Sequence, residues 1–352
     1  MPQQAQQFRR LEKLEAIRGL AAFYVFLHHY VHLNPDLAFL RRYFVFGQLA
    51  VLVFFVLSGF VIYYSSLGRR PEMPFRRFFI KRFRRIYPPF LLVLALGYLL
   101  KSIVEGGATD PRWDELLGNL FMLQDKNSAG SWFYPYLGNS PLWSLSYEWW
   151  FYMLFFATMV IGRGRIAVQR GIALGLGVAG FISFQVFPNQ ISLFAGYFIL
   201  WWAGREVAQE YLESGRVTAK RQIFSFIATG TLTVAWGIPA YLAWRSVGTE
   251  HLELSPFIEF RHFSSVFVVL ILGLVWYQLG FPGYRWTLRP FRWLAPVSYA
   301  LYIIHLPIIA FAIYRPIFGN VWLDFLWVAP LILVLSWLIE QLLQKRINQV
   351  LR

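Results

Sequence analysis

Apolar positions along this chain gather into long runs. The stretches 91–100 and 330–338 sit inside runs of roughly 20 residues, which as helices rising about 1.5 Å per residue would cross a hydrocarbon core about 30 Å thick. Charged or Gly/Pro-rich breaks divide the runs into segments near 14–33, 45–66, 86–104, 143–161, 171–187, 190–208, 222–244, 260–280, 295–314 and 320–342. The pair spanning 171–208 leaves Phe187-Pro188-Asn189-Gln190 as a very tight turn. The first run leads from Leu14 into His28, His29, Tyr30 and His32 instead of a small-residue cleavage site, so it reads as a retained span and not a signal peptide. The pattern predicts an all-α, polytopic transmembrane helix bundle of about ten spans. It forms a single domain over 1–352 with no internal repeat and no appended soluble domain.

The distribution of Lys and Arg tests that count, because cytoplasmic loops hold the excess of both. With the N-terminus inside, the inside segments carry 24 basic residues and the outside segments 8, Arg18 lying within the first span. A missing or extra span would scramble this asymmetry, so both termini are expected in the cytoplasm. The long outer loop, 105–142, has a pattern of its own. Trp113, Leu116, Leu117, Leu120 and Phe121 follow helical spacing after Asp110 and Pro111, which predicts a short helix lying on the outer interface. Beyond it, Trp132-Phe133-Tyr134-Pro135-Tyr136 fits an interfacial aromatic belt, and its rings are also of a kind that stacks on a sugar.

Composition agrees: 57% of residues are hydrophobic and 14% charged, far from a soluble surface. A formal charge of +15 would alone suggest nucleic acid, but the basic positions follow topology, so the expected partner is the lipid bilayer and no nucleic acid. There are no cysteines, which excludes disulfides, thiolate metal sites and a cysteine nucleophile. No Gly-rich phosphate loop, zincin motif or Gly-x-Ser-x-Gly elbow is present, so ATP-dependent phosphoryl transfer and metalloproteolysis lack support and no metal is expected.

Ionisable groups inside spans are costly and call for a partner or a function. Arg18 and His29 lie eleven residues apart in the first span, so they point nearly the same way, about 16 Å apart along the axis. That geometry suits a long, polyanionic, thioester-bearing cofactor. The guanidinium would hold phosphate near the cytoplasmic mouth, and the imidazole would act as base where the acyl group arrives. The structural alternative has Arg18 snorkelling to headgroups and His29 bonded to a neighbouring helix. His28 points about 100° away and His32 lies near the outer end, so both read as structural.

A second constellation is the basic loop of Arg69, Arg70, Arg76, Arg77, Lys81, Arg82, Arg84 and Arg85 before Tyr87-Pro88-Pro89. Arg82 and Arg85, at i and i+3, share a helix face and either grip nucleotide phosphates or bind anionic lipid. A third is Trp143-Ser144-Leu145-Ser146-Tyr147-Glu148 at the outer mouth of the fourth span. Its carboxylate either orients an imidazole or a substrate hydroxyl, or anchors the helix end. In the ninth span, Ser298-Tyr299-Ala300-Leu301-Tyr302-Ile303-Ile304-His305 precedes Pro307, and His305 is a buried polar candidate.

These segments resemble the membrane acyltransferase-3 family, which contains many bacterial O-acetyltransferases of surface polysaccharides. The opening Leu14-Glu15-Ala16-Ile17-Arg18-Gly19-Leu20-Ala21-Ala22 running to His28-His29 looks like its Arg, ten residues, His signature. Phe54-Phe55-Val56-Leu57-Ser58-Gly59-Phe60, then 82–88, 143–152 and 298–305, are similar to its other recurring segments in the same order. The resemblance implies a ten-span bundle in the bacterial inner membrane, a cytoplasmic acyl-CoA donor and an essential role for Arg18 and His29. Some relatives add a soluble esterase-like domain, so any extracytoplasmic partner is expected to be separate or unnecessary.

The expected reaction moves an acyl group, most simply acetyl from acetyl-CoA, to a hydroxyl of a carbohydrate or glycolipid acceptor. Arg18, Arg82 and Arg85 would hold the donor, His29 would act as general base, and Glu148 would position His29 or the acceptor. Trp143, Ser146, Tyr147 and His305 would contact the acceptor, with selectivity in loops 105–142 and 245–259. The rival reading is a proton-coupled transporter using the same intramembrane Arg, His and Glu.

Overall fold

The computed structural model describes residues 2–67, 74–127, 129–248 and 252–350. Arg69 and Arg70 of the basic loop, and 249–251 of the loop 245–259, lie outside the described residues. In chain order the helices are α1 (Pro2–Leu33), α2 (Gly47–Ile62), α3 (Phe75–Glu105), α4 (Trp113–Leu120), α5 (Trp143–Gly162), α6 (Ile166–Val186), α7 (Gln190–Ser214), α8 (Ile223–Val247), α9 (Phe257–Gln278), α10 (Tyr284–Thr287), α11 (Ser298–Tyr314), α12 (Val321–Leu338) and α13 (Gln344–Val350). Among the described residues the only β feature is an isolated bridge between Gln124 and Phe133. The fold is all-helical, as the pattern of apolar runs requires.

Each of the ten expected segments coincides with a long helix. Seven stretches are long and apolar enough to cross a membrane by themselves: Gly47–Ser65, Phe75–Glu105, Ile166–Val186, Ile223–Val247, Phe257–Gln278, Arg289–Tyr314 and Val321–Gln349. The helices below that threshold are α1, α5 and α7. Their sequences explain the shortfall, since α1 carries Glu12, Lys13, Glu15 and Arg18, α5 is rich in Trp and Tyr around Glu148, and α7 carries Arg205, Glu206 and Glu210. All three contribute side chains to the interior, and α7 buries Trp201, Trp202 and Arg205 almost completely. A helix shielded by its neighbours can carry polar groups that lipid would not tolerate.

Local chemistry sets the helix ends. Asn189 caps α7 by accepting from the Ser192 amide at 2.9 Å, and only Phe187, Pro188 and Asn189 separate it from α6, so the expected tight turn is present. Asn320 caps α12 through the Trp322 and Leu323 amides. Gly106, at φ 75°, closes α3 in the left-handed conformation that glycine adopts freely.

Two crossings are too close for side chains. A Cβ on Gly204 would lie 1.8 Å from the Val56 carbonyl oxygen, and one on Gly59 would lie 2.0 Å from that of Trp201. α2 and α7 therefore meet backbone to backbone at a reciprocal pair of glycines. Gly19 plays the same part between α1 and the 3-10 segment Arg289–Val297, where its Cβ would lie 2.0 Å from the Phe291 carbonyl oxygen. Arg18, the next residue back, is thereby held against the chain leading into α11.

Candidate active site

The faces of α1, α2, α3, α5 and α11 enclose a cavity of about 320 Å³. Arg18 from α1, Arg82 and Arg85 from α3, and Glu148 from α5 all line it, with Ser58, Ser144, Tyr152 and Tyr302. Four of the residues singled out in the sequence thus share one space. Arg18 donates through Nη2 to the Ala295 carbonyl at 3.0 Å, and its buried Nε has no partner among the described residues. Arg82 is buried, with its guanidinium 5.8 Å from the ring centres of both Phe78 and Tyr152 and its Nε also without a partner among the described residues. Arg85 differs, being held by both oxygens of Glu340. Glu340 Oε1 also accepts from the Ala300 amide at 3.3 Å, tying α3, α11 and the π turn Ile339–Leu343 together.

Across the cavity, Glu148 Oε1 accepts from the Ser58 hydroxyl at 2.9 Å and from the Tyr152 hydroxyl. Ser58 in turn accepts from Trp201 Nε1 at 3.1 Å. The carboxylate is therefore held by α2 and its own helix, with α7 behind. It makes no hydrogen bond to His29.

His29 lies further along α1 and is bonded to His305, whose Nε2 is 3.1 Å from His29 Nδ1. His29 Nδ1 also lies 3.0 Å from the Val25 carbonyl, and His305 Nδ1 3.0 Å from the Leu301 carbonyl. Carbonyl oxygens only accept, which assigns a proton to Nδ1 of each ring and leaves Nε2 of each unprotonated in the neutral pair. Among the described residues His29 Nε2 has no hydrogen-bond partner, and the residue is only partly buried. The inner end of the cavity comes close to this pair, because Tyr302 lines it and its ring centre is 6.2 Å from that of His305.

The remaining candidates are placed elsewhere. Ser146 is fully buried and donates to the Gln124 and Trp143 carbonyls. Tyr147 donates to Asp125 at 2.9 Å, and Trp143 stacks on His262 with ring centres 6.1 Å apart. None of the three lines the cavity; they join α5 to the segment 121–142 and to α9. His305 is completely buried against His29. His28 contacts the Phe44 carbonyl through Nδ1 at 2.5 Å, and His32 the His28 carbonyl at 2.9 Å, both in local structural roles. Two site residues escaped the sequence reading. Glu340, a carboxylate in the last turns of an apolar run, carried a signal; Trp201, one aromatic among many, carried none.

All of these side chains fall within residues 11–341, the stretch matched by a family model described as an acyltransferase domain. The chain belongs to the acyltransferase-3 family. Three curated relatives bear this out. The chain is 32% identical to the acyltransferase MdmB of Streptomyces mycarofaciens, in an alignment covering 55% of this chain and 52% of that one. It is 23% identical to the "Putative peptidoglycan O-acetyltransferase YrhL" of Bacillus subtilis strain 168, over 91% of this chain and 53% of the relative. It is 25% identical to the exopolysaccharide production protein ExoZ of Rhizobium meliloti strain 1021, over 75% and 77%. The alignments thus span about half the length of the first two relatives. No solved structure matches the chain.

Proposed function

We propose that this chain transfers an acyl group, acetyl in the simplest case, from cytoplasmic acyl-CoA to a hydroxyl of a carbohydrate-type acceptor at the membrane. The observation that carries this reading is the convergence of Arg18, Arg82 and Arg85 on one cavity whose inner end reaches Tyr302, beside the His29–His305 pair. Guanidinium groups suit the phosphates of coenzyme A, and the apolar walls suit its pantetheine arm. Family membership supports acyl transfer, and relatives named for peptidoglycan O-acetylation and exopolysaccharide production support a glycan acceptor.

In the proposed reaction His29 Nε2 takes the proton of the acceptor hydroxyl as its oxygen attacks the thioester carbonyl. The tetrahedral adduct expels the coenzyme A thiolate, which recovers the proton from the imidazolium. Atoms balance, with an ester and a thiol formed from a thioester and an alcohol. His305 keeps the Nδ1 proton of His29 in place, so the lone pair on Nε2 points away from the pair. Glu148 faces the cavity from the opposite wall and orients the donor or the acceptor.

The same reading has all ten long helices crossing an inner membrane with both termini cytoplasmic, which puts the basic mouth of the cavity on the side where acyl-CoA is found. It also sets α4 on the outer interface, where its exposed Trp113 and Leu117 and the adjoining Phe121 would enter lipid. His29→Ala, in protein shown to be folded and membrane-inserted, should abolish transfer from labelled acyl-CoA in detergent. Full retained activity removes His29 as the base.

A further inference from the structure

A second cavity, of about 480 Å³, lies between the C-terminal half of α3, the turn 136–139 and the C-terminal half of α11. Its walls include Gly97, Leu100, Tyr136, Phe311 and Tyr314. It shares no lining residue with the first, but both lie along α1 and α11. Along α1, Arg18 lines the first cavity and Leu33 the second, with His29 between them. Along α11, Ser298 and Tyr302 line the first and Leu306 and Pro307 the second, with His305 between. At about 1.5 Å per residue, Leu33 lies only about 6 Å beyond His29 along the axis. The bonded imidazoles, which line neither cavity, therefore lie between the two along both helices.

The second space has a polar feature built from sequence. Pro307 has no amide proton, so the Ile303 carbonyl loses its partner in α11. Asn139 replaces it, donating through Nδ2 to that carbonyl at 3.1 Å. Asn139 is only 7% exposed and lines the cavity, and its Oδ1 has no partner among the described residues. A buried amide oxygen can only accept, so it matches a ligand that donates, such as a hydroxyl. Around it the walls are aliphatic and aromatic, and the ion pair of Lys101 and Glu105, at 3.8 Å, stands among the lining residues. Aromatic faces with one amide suit a sugar ring, and aliphatic walls suit an apolar chain attached to it.

We propose that this second cavity binds the acceptor, as a glycoside whose sugar hydroxyl reaches His29 while its apolar aglycone lies along α3 and α11. The assignment rests on the acyl-transfer reading above. In this arrangement the two substrates approach the imidazole pair from opposite sides. A bare sugar fills the polar part alone and binds more weakly than its alkyl glycoside.

The test uses the full chain in lipid nanodiscs and an octyl glycoside carrying a diazirine on the alkyl chain. Illumination should label peptides covering residues 97–105 and 306–314. Gly97→Phe projects into the cavity, and there is room for its Cβ, which meets only Pro307 Cγ, at 4.0 Å. It should reduce labelling at least fivefold while leaving the dissociation constant for acetyl-CoA and the melting temperature unchanged. Ala310→Phe should act in the same way, and excess octyl glycoside should compete off the label far better than excess glucose. Normal acetyl-CoA binding with labelling that is absent, elsewhere, or indifferent to Gly97→Phe overturns the second-cavity assignment alone. Absence of acetyl-CoA binding in the unaltered protein overturns the donor reading and this one with it.

Discussion

Arg82 and Arg85 illustrate how much two residues of one motif can differ. Both line the cavity, yet Arg85 is held by both oxygens of Glu340, whereas among the described residues Arg82 meets aromatic faces and no carboxylate within ion-pair distance. A guanidinium without a carboxylate partner has more to gain from an incoming phosphate. Arg82→Ala should therefore raise the KM for the proposed acyl-CoA donor about 10- to 100-fold, the equivalent of one charge-assisted hydrogen bond of about 1.5–3 kcal/mol. It should change kcat less, and Arg82→Lys should recover part of the loss. Steady-state kinetics decide this, and equal effects from Arg82→Ala and Arg85→Ala would argue against the distinction. Glu340→Gln should move two measurements in opposite directions. Loss of the bidentate pair should cost about 1–3 kcal/mol of stability, while Arg85, released, should bind the proposed acyl-CoA donor more tightly. The i to i+3 spacing was legible in the sequence; the partner 255 residues away was not, because nothing local to Arg85 specifies it.

At the scale of elements, ten apolar runs, their tight turn and the short helix between α3 and α5 were all readable from periodicity and breaks. Their packing order was not. Lipid and a neighbouring helix are equally apolar, so an apolar face does not announce its partner, and close approach at small residues decides the crossing. Gly59 and Gly204 are the example: each leaves room only for the other helix's backbone. Gly204→Val should lower the melting temperature in detergent by at least the equivalent of about 1–3 kcal/mol, the usual range for overpacking. Gly171→Ala, in open space on α6, is the control and should be neutral or slightly stabilising. Comparable losses in both would place the α2–α7 contact outside the folding core. The three helices too polar to qualify as spans alone follow the same logic, since polarity in α1, α5 and α7 marks helices that other helices surround.

For the molecule as a whole, pH reports how the segment between α4 and α5 is locked to the bundle. Asp125 is 1% exposed, accepts from the Tyr147 hydroxyl at 2.9 Å and the Lys126 amide at 2.7 Å, and burial pushes its pKa up to about 6 from 3.8. An acid with a raised folded pKa keeps its proton longer when folded. Its contribution favours the native state at low pH and is lost as pH rises from about 4 to about 6, by about 3 kcal/mol in total. Asp125→Asn should flatten that part of the stability curve and raise the melting temperature at pH 7 relative to the unaltered chain. Thermal unfolding across pH 4 to 8 would show this, and an unchanged slope would assign it to other groups.

The sequence by itself determined the membrane class, the number and type of long helices, and the Arg18, Arg82, Arg85 and Glu148 set, because spans and intramembrane charges are local properties of composition and period. It also put Arg18 and His29 on one stripe of α1, a consequence of helical geometry alone. Only the tertiary structure decided that Arg85 is paired with Glu340, that Trp143, Ser146 and Tyr147 lie outside the cavity lining, and that His29 is bonded to His305 between two cavities. Those facts depend on which helix faces meet across separations of up to 276 residues. Spacing along the chain carries no record of that meeting; packing, close glycine contacts and the hydrogen-bonding needs of buried groups settle it.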